Sequence, residues 1–154
     1  MNLKIRKATL NDLSVLLEFE QQLITVERPM DPSLEQINDI TYYDISELIT
    51  SNKSTLFVAT INDEIIGCGY GLLRQNKSKF TQKQHGYIGF VFVKEEFRGN
   101  GISKLILNAI FDWFKTMNII EVRLTVYEDN YNAIRAYEKL GFKKSIIEMV
   151  YNLD

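Results

Sequence analysis

Tyr87 to Val93 is almost wholly apolar, and a turn holding two glycines joins it to a strongly patterned stretch that begins at Ile102. A short unbroken apolar run fits a strand covered on both faces. Ile102, Leu105, Ile106, Ala109, Ile110, Trp113 and Met117 recur at helical spacing, which predicts a helix over 102–117 with one apolar face. A strand buried on both sides needs a layer of helix on each. The helix that follows the turn is the nearest candidate for one of those layers.

The rest of the chain supplies the remaining elements. Leu3 to Lys7 alternates apolar and charged residues and predicts a strand. Thr9-Leu10-Asn11-Asp12 offers cap residues for a first helix, whose stripe is Leu13, Leu16, Leu17, Leu23 and Ile24. Glu20 interrupts that stripe where a leucine is expected. Pro29 and Pro32 mark a break, and Ser33 is expected to cap a second helix running to about Thr50. Thr55 to Ile61 and Glu64 to Arg74 read as two strands joined by a hairpin turn at Asn62-Asp63. Residues 75–84 form a polar loop. Glu121 to Tyr127 is a further strand, Asn130 to Leu140 a short helix stopped by Gly141, and Lys143 to Tyr151 a closing strand. The order β-α-α-β-β-β-α-β-α-β predicts one α+β domain over 1–154, a mixed, mostly antiparallel sheet flanked by helices. With 154 residues, 45% of them hydrophobic, the chain can bury a full core.

Charge and cysteine content narrow the function. The net charge is -2, so no general affinity for nucleic acid is expected. One cysteine, Cys68, and one histidine, His85, cannot make an intrachain disulfide or a structural zinc site, and no metal is expected. No apolar run nears the ~18 residues of a membrane span, and the start carries no signal-peptide core. A cytoplasmic setting away from membranes is the expectation.

The turn Arg98-Gly99-Asn100-Gly101-Ile102-Ser103-Lys104 carries a candidate binding function. The first amides of a helix have no intrahelical acceptor and lie at the positive end of its dipole. Gly99 and Gly101 lack Cβ atoms, so an anion can approach the backbone closely. Arg98 and Lys104 add positive charge, which together makes a phosphate site. A glycine turn that merely starts a helix remains open at this point. A Walker A loop would place Gly-Lys-Ser/Thr here, and a dinucleotide fingerprint would place glycine at Lys104; neither fits.

A second stretch is Asn130-Tyr131-Asn132-Ala133-Ile134-Arg135-Ala136-Tyr137-Glu138-Lys139-Leu140-Gly141-Phe142. Paired with the upstream turn, it resembles the GNAT superfamily of N-acetyltransferases, and the element order is similar across nearly the whole chain. The resemblance implies an acetyl-CoA-dependent transfer of acetyl directly to a primary amine of a small molecule or peptide. It implies that Arg98, Gly99, Asn100, Gly101, Ile102 and Ser103, with Lys104 beside them, hold the CoA pyrophosphate. Ser103 stands where the family usually has Gly or Ala. The resemblance further implies that Val91, Phe92 and Val93 pair with the pantetheine arm, that Asn130 touches the CoA arm, and that Tyr137 is the general acid. The Val93 amide is the expected oxyanion donor.

The acceptor side is less defined. The family often carries an acid near Gly89 or Phe90, and this chain has none there. Glu20, Glu27, Tyr43 and His85 are candidates for contact with the amine. Glu20 at the wet edge of its stripe, and His85 as a solvent-facing loop residue, are the competing readings. Cys68 in Gly67-Cys68-Gly69-Tyr70 reads as a small buried strand residue rather than a nucleophile. A non-catalytic acyl-CoA-binding module, or a nucleotide-binding regulator, would use the same turn. Nothing in the sequence identifies a dimer interface, so a homodimer is open.

Overall fold

The computed structural model describes residues 2–153. Strand β1 (Leu3–Lys7) leads to helix α1 (Leu13–Glu27) and a short helix α2 (Ile45–Thr50). Then come β2 (Ser54–Ile61), β3 (Glu64–Gln75), β4 (Gln84–Val93), α3 (Ile102–Thr116), β5 (Val122–Arg123) and α4 (Tyr131–Leu140). The strands form one sheet in the order β1-β2-β3-β4-β5. All pairs are antiparallel except β4 with β5. The architecture is the expected α+β one.

Strand alternation divides the core in two. Leu56, Val58, Ile65, Cys68, Tyr70, Phe90 and Phe92 point to α1 and α2 and pack with Leu16, Phe19, Ile45 and Leu48. Ala59, Ile66 and Ile88 point the other way and pack with Ile102, Ile106, Leu107, Ile110 and Phe114 of α3. Gly67, Gly69 and Gly71 lie under α3, and a Cβ on any of them would press against Ile106, Ile110 or Phe114. This row of missing side chains lets the helix sit close to the sheet. The β2–β3 turn is tight because Asn62 and Asp63 both adopt positive φ, at 50° and 67°. Thr9 and Asp12 form a reciprocal cap ahead of α1, and the Asp12 carboxylate also takes both terminal nitrogens of Arg6 at 2.8 and 2.9 Å.

Three elements depart from expectation. The helix predicted from Ser33 begins only at Ile45, with Asp44 as its cap accepting the Glu47 amide at 3.1 Å. Residues 31–44 are irregular because side chains claim their backbone groups. Asp31 takes the Ser33 amide, Arg28 donates to the Glu35 and Asn38 carbonyls, and Gln21 donates to the Ile40 carbonyl. The strand predicted over Glu121–Tyr127 is paired only at Val122 and Arg123. The closing strand predicted over Lys143–Tyr151 is unpaired among the described residues, and it runs without regular structure and largely exposed.

Candidate active site

The site starts where β4 stops behaving as a regular strand. Cys68 pairs with Phe92 and Tyr70 with Gly89, so Phe90 and Val91 together face the single residue Gly69. This is a bulge, and Phe90 accommodates it at φ 54°, a conformation that bulky residues avoid. The Cys68 thiol donates to the Phe90 carbonyl at 3.4 Å across the irregularity. Burial pushes that thiol well above its ordinary pKa, so it stays neutral. Tyr70 lies directly over Gly89, where any Cβ would collide with its ring and hydroxyl. Beyond the bulge β4 has no described partner on its far side, because β5 runs alongside it only at Gly86 and Tyr87. Val91, Phe92 and Val93 therefore line a split between two parallel strands. Backbone groups on that outer edge are available to an extended ligand.

The glycine turn closes the end of this split. Gly99 and Gly101 take φ of 80° and 75°, and Gly101 is the residue before the first turn of α3. The first α3 bond from outside the helix is Leu105 N–H to the Gly101 carbonyl at 3.2 Å. Among the described residues, the amides of 99–104 have no main-chain acceptor. Beyond their own chain neighbours, no atom lies within 4 Å of where a Cβ would stand on Gly99 or Gly101, so both positions border open space. Arg98 Nε donates to the Val93 carbonyl at 2.9 Å, tying the turn to the end of β4. Asn100 folds back, its side-chain amide donating to the Phe97 and Arg98 carbonyls at 3.1 and 3.3 Å. Ile102 is buried and anchors the turn to the core, Ser103 is half-buried, and Lys104 is exposed.

Helix α4 brings up Tyr137. Asn130 caps this helix by accepting the Ala133 amide at 3.3 Å, and Gly141 ends it at φ 107°. Tyr137 packs edge-on to Phe142 with ring centroids 5.8 Å apart. Burial, with further contributions from Glu27 and Tyr87, pushes its hydroxyl up to about 12. The group is therefore a proton donor throughout the ordinary pH range.

Opposite α4, the irregular segment 31–44 is pinned by Glu20. That side chain is fully buried, not at a wet edge, and its Oε2 accepts the amides of Tyr42 and Tyr43 at 3.1 and 2.9 Å. Its other oxygen, Oε1, has no partner among the described residues. Tyr43 then stacks on Phe90 at 4.9 Å and edge-on to Tyr70 at 5.6 Å. Tyr127 donates to Asp31 at 2.6 Å, joining the segment after β5 to the loop after α1. Burial holds the pKa of Glu27 above the usual carboxylate range. Burial is also the largest cause of the raised pKa values of Tyr42, Tyr43 and Tyr127, and the Glu27 charge is a further cause common to all three.

Comparison with known proteins agrees with this geometry. The family model for the acetyltransferase (GNAT) family matches residues 19–142. This chain belongs to the GNAT acetyltransferase family. An N-alpha-acetyltransferase of Sulfurisphaera tokodaii is 27% identical over 98% of this chain and 86% of its own length. The crystal structure of a mutant of the BH1408 protein from Bacillus halodurans superposes with a TM-score of 0.87 at 26% identity, covering 97% of this chain and 99% of that one. A protein from Clostridium acetobutylicum described as a predicted acetyltransferase, solved with acetyl-CoA, has the same fold: TM-score 0.74 at 22% identity, over 97% of this chain and 96% of that one.

In this GNAT chain Arg98 joins the turn of 98–104 to the strand end at Val93, and Tyr137 of α4 packs against the core on the α3 side of the sheet. After burial, the Glu27 charge is among the causes that raise the pKa values of both Tyr43 and Tyr137. Glu20 holds the loop that carries Tyr43 through the Tyr42 and Tyr43 amides. His85 is buried in β4 rather than facing solvent, with Nδ1 2.6 Å from the Asn76 side-chain oxygen. Burial, then Arg123 and Arg74, lower its pKa, so it is neutral and bound to its neighbouring loop. Sequence reading missed the Phe90 bulge and the inward positions of Tyr70, Tyr87 and Tyr127. Tyr127 had a faint signal, a tyrosine closing a segment with few other inward-facing aromatics, whereas the bulge had none.

Proposed function

We propose that this chain transfers acetyl from acetyl-CoA to a primary amine that arrives as a cation. The observation that carries the reading is the open run of amides at 99–104 set at the end of the β4 split. Unpartnered donors at a helix N-terminus, flanked by Arg98 and Lys104, fit a pyrophosphate. The open backbone edge of 91–93 fits the amide-bearing arm that links pyrophosphate to thioester, as strand addition would. Asn130 stands at the start of α4, where its side-chain amino group can meet the same arm.

The chemistry then falls to a few groups. Glu27, with its raised pKa, takes a proton from the bound ammonium. The neutral nitrogen attacks the thioester carbon, and the Val93 amide donates to the oxygen that gains charge. The carbon–sulfur bond breaks as the Tyr137 hydroxyl gives its proton to the departing thiolate. The acylated nitrogen still carries one proton too many for an amide and gives it up to the tyrosinate through solvent, and the proton on Glu27 leaves to bulk water as the one the reaction releases. Tyr43 and Tyr127 shape the chamber, and their rings favour a cation over a neutral or anionic acceptor. Glu20 and His85 are not assigned contact with the amine.

The test is a thiol-release assay with acetyl-CoA across amino acids, polyamines, aminoglycosides and peptide N-termini. Release that depends on a cationic amine is expected. Tight acetyl-CoA binding with no release for any amine would overturn the enzymatic reading and leave a non-catalytic acyl-CoA-binding module.

A further inference from the structure

Of the six arginines, five donate hydrogen bonds inside the chain: Arg6 to Asp12, Arg28 and Arg98 to main-chain carbonyls, Arg123 to Glu121, and Arg135 to Asn132. Among the described residues Arg74 donates none and forms no ion pair. Its guanidinium is nonetheless held in place. The central carbon lies 3.5 Å from the centroid of the Tyr87 ring. The Tyr87 hydroxyl shares a hydrogen bond with the Thr125 hydroxyl at 2.7 Å, which fixes that ring from the side of β5. Stacking orders the planar fork without using its N–H donors. An ordered guanidinium with its donors free matches a carboxylate, two N–H groups to two oxygens.

The surroundings leave this charge uncompensated. No aspartate or glutamate occurs from Ile65 to Lys94, while Lys77, Lys79 and Lys83 follow Arg74 on the β3–β4 loop. Glu121, whose carbonyl accepts the Gly86 amide, already holds Arg123. Tyr87 connects Arg74 to the rest of the site. Leu72 pairs with Tyr87 and Tyr70 with Gly89, so Tyr70, Leu72 and Arg74 leave β3 on one face. The Tyr87 ring is 6.5 Å from that of Tyr70, which is 5.6 Å from Tyr43 on the loop that Glu20 holds. Two residues of strand cover about 7 Å, so Tyr87 stands about that far along β4 from Gly89, the last paired residue before the bulge.

We infer that Arg74 receives a carboxylate of the acceptor, which makes the amine substrate an amino carboxylate with its two charged groups several bonds apart. The inference rests on the acetyltransferase reading and narrows its acceptor. The ammonium goes to the Glu27 end and the carboxylate to the guanidinium over Tyr87. The rings of Tyr43, Tyr70 and Tyr87 then underlie the chain that joins them. An acceptor whose carboxylate sits one carbon from the reacting amine is too short to reach both ends.

The test compares 6-aminohexanoate with 6-aminohexanamide as acceptors of acetyl from acetyl-CoA. The two share length and amine, and only the first carries the negative charge. Removing a hydrogen-bonded charge costs about tenfold or more, so the acid should exceed the amide at least about tenfold in kcat/KM. Arg74 is exposed, so Arg74→Gln should fold. It should raise the KM for 6-aminohexanoate about tenfold and bring acid and amide near parity, with the acetyl-CoA KM unchanged. Arg74→Lys keeps the charge without the fork and should keep part of the preference. Equal use of acid and amide by the wild type, or a preference that survives Arg74→Gln, would overturn the inference. If no amine is acetylated, the acetyltransferase reading fails, and melting temperature still judges the carboxylate receptor. Stabilisation by 6-aminohexanoate alone, lost in Arg74→Gln, supports it; the same response to acid and amide, or none, overturns it.

Discussion

The two sides of the site are built from different material. The turn at 98–104 presents main-chain amides, held in shape by Gly99 and Gly101 at positive φ. The chamber proposed for the acceptor presents side chains carried by α1, the irregular loop and α4. Short of a proline, substitution cannot remove a backbone donor, only block or tilt it. That side is therefore brittle at the glycines and tolerant elsewhere. The chamber is the opposite: each side chain can be exchanged without disturbing the sheet, so acceptor preference can drift while donor binding persists.

The largest effect should come from blocking the backbone side. Gly101→Asp puts a carboxylate beside the expected pyrophosphate. Like charges about 4 Å apart near a protein surface repel by about 4 kcal/mol, close to a thousandfold in affinity. Aspartate at the left-handed φ of 75° costs about 1–2 kcal/mol, so the apo fold should lose only a few degrees of melting temperature. Calorimetry should then show acetyl-CoA binding lost in a protein that is still folded. Unchanged affinity would remove the turn from the site.

Tyr137→Phe comes next. Acid–base groups contribute about 10²–10⁴, and a thiolate needs less help than an alkoxide, so kcat should fall about tenfold to a thousandfold. The acetyl-CoA KM should stay put. The hydroxyl has been pushed up to about 12, so it loses its proton only as pH rises through that value. The wild-type rate should thus rise with pH as Glu27 loses its proton and becomes able to accept one, with no descending limb from Tyr137 below about pH 10. A descending limb nearer neutrality that vanishes in the Phe variant would show the assignment of a raised pKa to be wrong.

Glu27→Gln probes the side-chain half more gently. It keeps the shape and removes the charge. Hydrogen bonds to charged groups are worth about 1.5–3 kcal/mol, so KM for a cationic amine should rise about tenfold or more with acetyl-CoA KM unchanged. Equal kinetics in steady-state assays would send the search for the proton acceptor elsewhere.

The same division explains what could be read from the residues alone. The shape of the glycine turn was legible because glycines at set positions before a helix are visible in a sequence. Tyr137 drew notice through its neighbours in the Tyr-Glu-Lys-Leu-Gly-Phe run. The bulge at Phe90 was not legible, since no residue pattern marks where two residues of β4 face the single Gly69. Glu20 drew notice as a carboxylate on an apolar stripe, but its partners, the amides of Tyr42 and Tyr43, come from a loop expected to be helical. That loop was misread because Ser33, a good cap by type, is held by Asp31 instead. The closing strand had a strand's pattern, yet the segment pairs with nothing among the described residues: pattern reports that a segment suits a sheet, not that an edge receives it.

The smallest effect expected is at Gly99, and it separates shape from access. A Cβ there would meet no atom within 4 Å, so alanine does not clash. Its cost is the left-handed backbone, about 1–2 kcal/mol for a residue with a side chain. If the turn keeps its conformation, the melting temperature should fall by roughly 2–4 °C per kcal/mol for a chain of this size. Acetyl-CoA affinity should fall only a few-fold, because the amides still point the same way. If instead the turn relaxes to negative φ, stability is spared and the donors tilt from the phosphates, so affinity suffers while the melting temperature does not. Measuring both on Gly99→Ala decides whether the sheet and α3 impose the turn's shape or the glycine merely permits it. A large drop in both would mean that the methyl group meets something after all, and that the turn is less open than its geometry indicates.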